Sequence, residues 1–154
     1  MRRGLIWALT ALAAAWCIVI WSFSLQSGAE SSSTSGAILQ RVDEMLDAVG
    51  LENPFTPQTI RKTAHFCEFL LLGLLASAAL RAHGFRHFAI IAFGGVFAVA
   101  SIDELLQFCS PGRGPSFLDV LLDAAGGLCG IALCCLLSAL IHHFHQKRIK
   151  KSSK

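Results

Sequence analysis

The sequence predicts an all-α protein: an integral membrane four-helix bundle with a short amphipathic helix in the first outer loop. Three observations carry that prediction. With 54% hydrophobic and 15% charged residues and a mean hydropathy of +0.58, the chain is too apolar for an ordinary soluble domain. It contains four apolar runs, each near the ~20 residues a helix needs to cross a bilayer core. In three of those runs the ionisable residues gather at one end only. The length of 154 residues fits a single domain, residues 1–154.

The first span is expected at about residues 5–25, where Thr10, Ser22 and Ser24 alone interrupt apolar sequence. A cleaved signal peptide is the rival reading, since Ser27-Gly28-Ala29 loosely imitates a small-x-small cleavage site. The run exceeds the ~7–15 residues typical of a signal core, and Trp7 and Trp21 suit interfacial anchoring, so a retained span is preferred. Gly28 to Gly36 is Ser-rich and reads as a flexible linker. Ile38, Val42, Met45, Leu46 and Val49 then recur at helical spacing among charged residues, which predicts the short amphipathic helix, with Gly50 as its stop.

Thr56-Pro57 is a helix start, because Thr can cap and Pro is suited to the first turn. The second span follows at about 61–80, with Arg61, Lys62, His65 and Glu68 all in its first turns. A basic loop, Arg81 to His87, leads to a third span at 88–108 that carries no charge before Asp103. The Pro/Gly turn after it leads to a fourth span at 117–141, charged only in its first two turns, and a basic tail at 142–154. The six cysteines lack zinc-like spacing and read as small core residues, not a disulfide framework.

Lysine and arginine set the orientation. With the N-terminus cytoplasmic, nine of the thirteen (Arg2, Arg3, Arg81, Arg86, Lys147, Arg148, Lys150, Lys151 and Lys154) lie inside. Arg41, Arg61, Lys62 and Arg113 lie outside with all ten carboxylates. Both termini are then cytoplasmic, and the polar end faces outward.

At that end Glu68 sits roughly 10 Å, Asp103 roughly 7 Å and Asp123 roughly 9 Å inside the boundary, at ~1.5 Å per residue. A charge at the bilayer centre costs ~2.5–3.5 kcal/mol on insertion scales, so these carboxylates should turn inward and share a cavity with Lys62, His65 and Arg113. Asp103 and Gln107, and Asp119 and Asp123, are i,i+4 neighbours on their helices. Gly126 and Gly130 continue the second stripe as small-xxx-small, which admits a close helix partner, and Gly94 and Ala98 offer a similar seam on the third span. His65 with Glu68 alone would suit a structural pair, Arg113 alone a snorkelling cation, and His142, His143 and His145 a hydrated basic tail. The cluster as a whole points to function.

These residues carry a family resemblance. F-S-x-Q-S at Phe23 to Ser27, K-x-x-H-F-x-E-F-x-x-L-G at Lys62 to Gly73, and D-E-x-x-Q-F at Asp103 to Phe108 resemble the VanZ-like family of small bacterial membrane proteins. So do P-G-R at Pro111 to Arg113, S-F-x-D-V at Ser116 to Val120, and G-G-x-x-G at Gly126 to Gly130. Asp123 departs from the family pattern, which has Asn there. The resemblance implies a cell-envelope role, the namesake being associated with low-level teicoplanin resistance; it supplies no reaction.

Three function classes follow. In the first, a non-enzymatic envelope protein binds a lipid-linked cell-wall precursor or a glycopeptide through Lys62, His65, Glu68, Asp103, Glu104, Gln107, Arg113, Ser116, Asp119 and Asp123, with membrane lipids as partners. In the second, an intramembrane enzyme acts on lipid head groups or exported glycans, with His65, Glu68, Asp103, Glu104 and Asp119 as candidate catalytic groups. No H-E-x-x-H, P-loop or G-x-S-x-G occurs; His65 and the carboxylates could hold a divalent ion, but no metal spacing is fixed and the sequence leaves any cofactor open. The third is proton-coupled transport, which four spans without a repeat would favour only in an oligomer. Nucleic acid is not an expected partner.

Overall fold

The structure, a computed structural model, describes residues 2–114 and 116–152, without the side chains of residue 2 and residues 149–152. Within these the chain forms five helices and no strand: α1 (Arg2–Ser24), α2 (Gly28–Asp47), α3 (Pro57–Ala82), α4 (Phe88–Phe108) and α5 (Phe117–Ser152). All but α2 are long and apolar enough to cross a membrane. Leu5, Ile18, Ile90, Leu105, Leu118 and Leu128 are exposed on α1, α4 and α5, a surface that lipid would cover. The tail residues Lys150, Lys151 and Lys154 and the N-terminal Arg2, counted in the charge bias, have side chains outside the described set.

Helix α3 is the hub and packs against every other helix. Its start follows the sequence: Thr56 Oγ1 accepts from the Thr59 amide at 3.1 Å, and Pro57 occupies the first turn, where its missing N–H costs nothing. Helix α5 lies closest to it because three glycines remove the side chains that would hold the backbones apart. A Cβ on Gly126 would strike the Phe66 carbonyl, and one on Gly130 the Leu70 carbonyl and the Leu74 amide. Gly73, on α3, faces the Gly127 backbone in the same way. The seam expected at Gly126 and Gly130 therefore closes.

The other expected seam does not. Gly94 and Ala98 lie on an exposed face of α4, and a Cβ on Gly94 would meet nothing within 4 Å. Helix α4 turns Ala92, Val96 and Ala100 inward instead, where they join Ile20, Phe69, Leu72 and Val120 in the core.

Four further expectations are corrected. The Ser-rich segment 28–36 is helical and forms the first half of a twenty-residue α2. Ser27 caps it in a capping box: Ser27 Oγ accepts from the Glu30 amide, and the Ser27 amide donates to Glu30 Oε2 at 2.8 Å. Small Ser31 and Ser35 are then buried as α2 packs on α3, whereas Ile38, Met45 and Val49 of the predicted apolar face are exposed. The fourth long helix does not stop at Ile141 but runs to Ser152, a length of about 54 Å at ~1.5 Å per residue, well beyond a ~30 Å hydrocarbon core. Of the six cysteines, all free, only Cys134 is buried and Cys67, Cys109, Cys129 and Cys135 are exposed. Trp21, expected as an interfacial anchor, is half-buried against the core.

A polar cluster at one end of the bundle

The start of α3, the end of α4 and the start of α5 meet at one end of the bundle. Their polar side chains converge there because the close α3–α5 seam leaves no room for them to splay apart. Asp103 is fully buried and Asp123 only 2% exposed. One ligand-type atom from each of His65, Asp103 and Asp123 lies within 4.8 Å of the others. His65 Nδ1 is 3.9 Å from Asp103 Oδ2 and 3.8 Å from Glu68 Oε2. Lys62 Nζ lies 2.9 Å from Asp119 Oδ1, a half-exposed ion pair bridging α3 and α5.

Asp103 is held from two sides. Ser24 Oγ, at the end of α1, donates to Oδ1 at 2.5 Å, and Gln107 Nε2, one turn on, donates to Oδ2 at 2.9 Å. The other buried groups are less well met. His65 Nδ1, Glu68 Oε2 and Asp123 Oδ1 are buried without a hydrogen-bond partner. Such groups are uncommon because desolvation without a partner costs roughly 1–3 kcal/mol each.

Glu104 and Ser116 stand beside this cluster and have a different task. Glu104 Oε1 accepts from the Ser116 amide, and the Ser116 carbonyl accepts from the amides of Asp119 and Val120. Together they fix the angle at which α5 leaves the turn. That turn needs Gly112, whose φ of 78° lies in the left-handed region. It also anchors α2: the Gly28 amide donates to the Pro111 carbonyl at 2.9 Å, and a Cβ on Gly28 would strike the Gly112 carbonyl.

With α2 seated there, a cavity of about 180 Å³ lies between α2, α3 and the end of α1. Arg61, His65, Glu68 and Arg113 form its charged wall, and Phe23 and Ile38 contribute an apolar one. An open groove of about 480 Å³ past Ser32 and Gln58 shares Ser35 and Arg61 with it. Arg113, in the turn, has one long contact, Nη1 to the Ser24 carbonyl at 3.5 Å, and a buried Nε with no partner. Burial pulls its guanidinium pKa below the ordinary value and Arg61 lowers it further, against the opposing pull of Asp103 and Glu104.

The structure thus brings together Lys62, His65, Glu68, Asp103, Gln107, Asp119 and Asp123, and places Arg113 with His65 and Glu68 in the lining of one cavity. It adds residues the sequence did not single out as site residues. Arg61 stands out in the sequence only as one of the four outer cations. Ser24 sits in a family motif but otherwise looked like one hydroxyl in an apolar span. Trp16 Nε1 donates to the Glu68 carbonyl at 2.9 Å and locks α1 beside the cluster.

Four membrane-length helices with carboxylates buried at one end define a small multi-pass membrane protein with an intramembrane polar cluster. Its family is then identified by direct comparison. The chain belongs to the VanZ/LLP1 family, whose model matches residues 9–138, a stretch that contains every residue of the cluster. No curated protein and no solved structure matches the chain.

Proposed function

We propose that the protein is a cell-envelope component that binds the phosphate-bearing head group of a membrane lipid in the cavity beneath α2. The observation that carries this reading is the pairing of Arg61 and Arg113 on one wall of an otherwise apolar-flanked space. The Arg113 guanidinium, whose ionisation burial and the nearby Arg61 charge disfavour, is relieved by an anion, and the planar fork of Arg suits phosphate oxygens. The apolar wall from Phe23 and Ile38 suits the first carbons of an acyl or prenyl chain. Glycerophospholipids and lipid-linked cell-wall precursors share this chemistry.

The basic-residue bias supports an orientation in which both termini are cytoplasmic and the cavity faces outward across a bacterial inner membrane. A protein there that sequesters a lipid-linked cell-wall precursor would alter glycopeptide access, in keeping with the resistance phenotype associated with the family's namesake. Native mass spectrometry of gently extracted protein tests the reading. The expected result is a co-purifying phosphate lipid in the wild type, its mass assigning it to one of the two sources, and roughly tenfold less of it in Arg113→Gln. Equal lipid in both proteins contradicts the reading.

A second reading has its own observation. His65 stands 3.8–3.9 Å from two carboxylates and lines the same cavity, which is the arrangement of a general acid or base beside a bound head group. Lipid profiling of a deletion strain carrying wild type or His65→Ala checks it. Indistinguishable profiles rule it out.

A further inference from the structure

We propose that His65, Asp103 and Asp123 hold a divalent first-row transition metal ion, of the zinc or manganese kind. The proposal rests on reading the cluster as a ligand site, and it deepens that reading by naming an inorganic component of the site.

The donors are one imidazole and two carboxylates, from three different helices, with one donor atom of each inside a 4.8 Å set. Mixed nitrogen and oxygen sets of this kind suit zinc and its first-row neighbours better than calcium, which takes six to eight oxygens. The distances are those of atoms gathered around a common point and not of atoms paired with one another. His65 Nδ1 stands 3.9 Å from Asp103 Oδ2, beyond hydrogen-bond range. Two ligands each ~2.1 Å from one tetrahedral ion would be roughly 3.4 Å apart, so the His65–Asp103 pair needs about half an ångström of closure and the whole set at most about 1.4 Å.

Unmet valence points the same way. Asp123 is 98% buried, since only 2% of it is exposed, and its Oδ1 has no partner. His65 Nδ1, the atom nearest Asp103, has none either. Asp103, in contrast, already has the outer contacts that orient a ligating carboxylate, from Ser24 and Gln107.

Charge is the third argument. Glu68, Asp103, Glu104, Asp119 and Asp123 contribute five carboxylates around the cluster, faced by three fixed cations, Arg61, Lys62 and Arg113. With all five ionised the deficit is two positive charges in a low-dielectric setting, and one divalent ion would remove it. A further coordination position would take water or a head-group phosphate oxygen.

The experiment uses the full chain in detergent. Metal content is measured by plasma mass spectrometry as purified, and Zn²⁺ and Mn²⁺ are then titrated calorimetrically into chelator-stripped protein. Retained phosphate lipid is quantified in the same samples. Expected are about one metal equivalent per chain, a fall of roughly a hundredfold in affinity for both Asp123→Asn and His65→Gln, and of about tenfold for Gln107→Ala. Folding of each variant is checked by circular dichroism, and the wild-type measurement stands if one variant fails to fold. Wild-type protein that retains no metal and binds neither ion overturns the proposal. So does metal retained equally by His65→Gln and Asp123→Asn, which would place it elsewhere, for example at His142, His143 and His145. Lipid retained without metal overturns this inference and leaves the head-group reading standing; metal retained without lipid does the reverse.

Discussion

Two small-residue seams, alike in sequence, meet opposite fates. On α5, Gly126 and Gly130 press against backbone atoms of α3. On α4, Gly94 and Ala98 face outward, and Gly94 has open space around its Cα. The difference lies in what stands at the head of each stripe. Along α5, Asp119 and Asp123 precede the glycines and have partners to meet on α3: Lys62 across the ion pair and His65 across the buried cluster. Gly94 and Ala98 have no charged residue on their stripe to draw that face inward, Ser101 bonding its own helix at the Phe97 carbonyl, and α4 instead turns its Asp103 side to the core. A small-xxx-small pattern permits close approach; a polar group that must leave lipid decides which helix makes it.

The largest effect should come from filling the closed seam. Gly130→Leu drives a side chain into the α3 backbone and should cost about 3 kcal/mol or more, read as loss of the folded protein in detergent. Gly94→Leu should stay within about 0.5 kcal/mol of wild type. Equal effects at the two sites would break the comparison.

Asp123→Asn separates the polar head of the seam from its packing. It keeps the shape but removes a buried carboxylate from among others, so chelator-stripped protein should gain about 1 kcal/mol in thermal unfolding while losing metal binding. A loss of stability would show that the charge has a structural partner.

Smaller still is the effect at the lid. Ser27→Ala removes the cap of α2 and should cost about 1 kcal/mol locally, read as faster amide exchange over residues 28–36. The same cap gives a pH dependence. The Ser27 amide and hydroxyl hold the Glu30 pKa below its ordinary value of 4.5. This contribution is complete above pH 4.5 and is lost as pH falls through the lower folded value, so exchange at the start of α2 should quicken only in acid.

Much of the architecture was legible because it rests on long apolar runs and local signals. Thr56-Pro57 marked the start of α3, and α4 was bounded at Phe88 and Phe108 by the chain's own charge pattern. The capping box at Ser27 and Glu30 was equally present in the sequence, but Ser-rich composition outweighed it; docking of Ser31 and Ser35 on α3 offsets the weak helix propensity of serine. The continuation of α5 past Ile141 reflects good helix formers such as Gln146, Lys147 and Arg148, which need no membrane to stay helical. At the cluster, titratable residues stood out because charge is conspicuous in apolar sequence. Ser24 did not, since a hydroxyl in a span usually bonds its own helix and nothing local reveals an Asp103 partner 79 residues away.

The central claim is that the polar end holds a phosphate head group between Arg61 and Arg113. The most direct test compares binding of a phosphatidic acid and of the diacylglycerol with the same chains to purified protein in nanodiscs. The account predicts at least roughly tenfold preference for the phosphate-bearing lipid in the wild type and loss of that preference in Arg113→Gln. Equal binding of the two lipids, or a preference that survives the substitution, would contradict it.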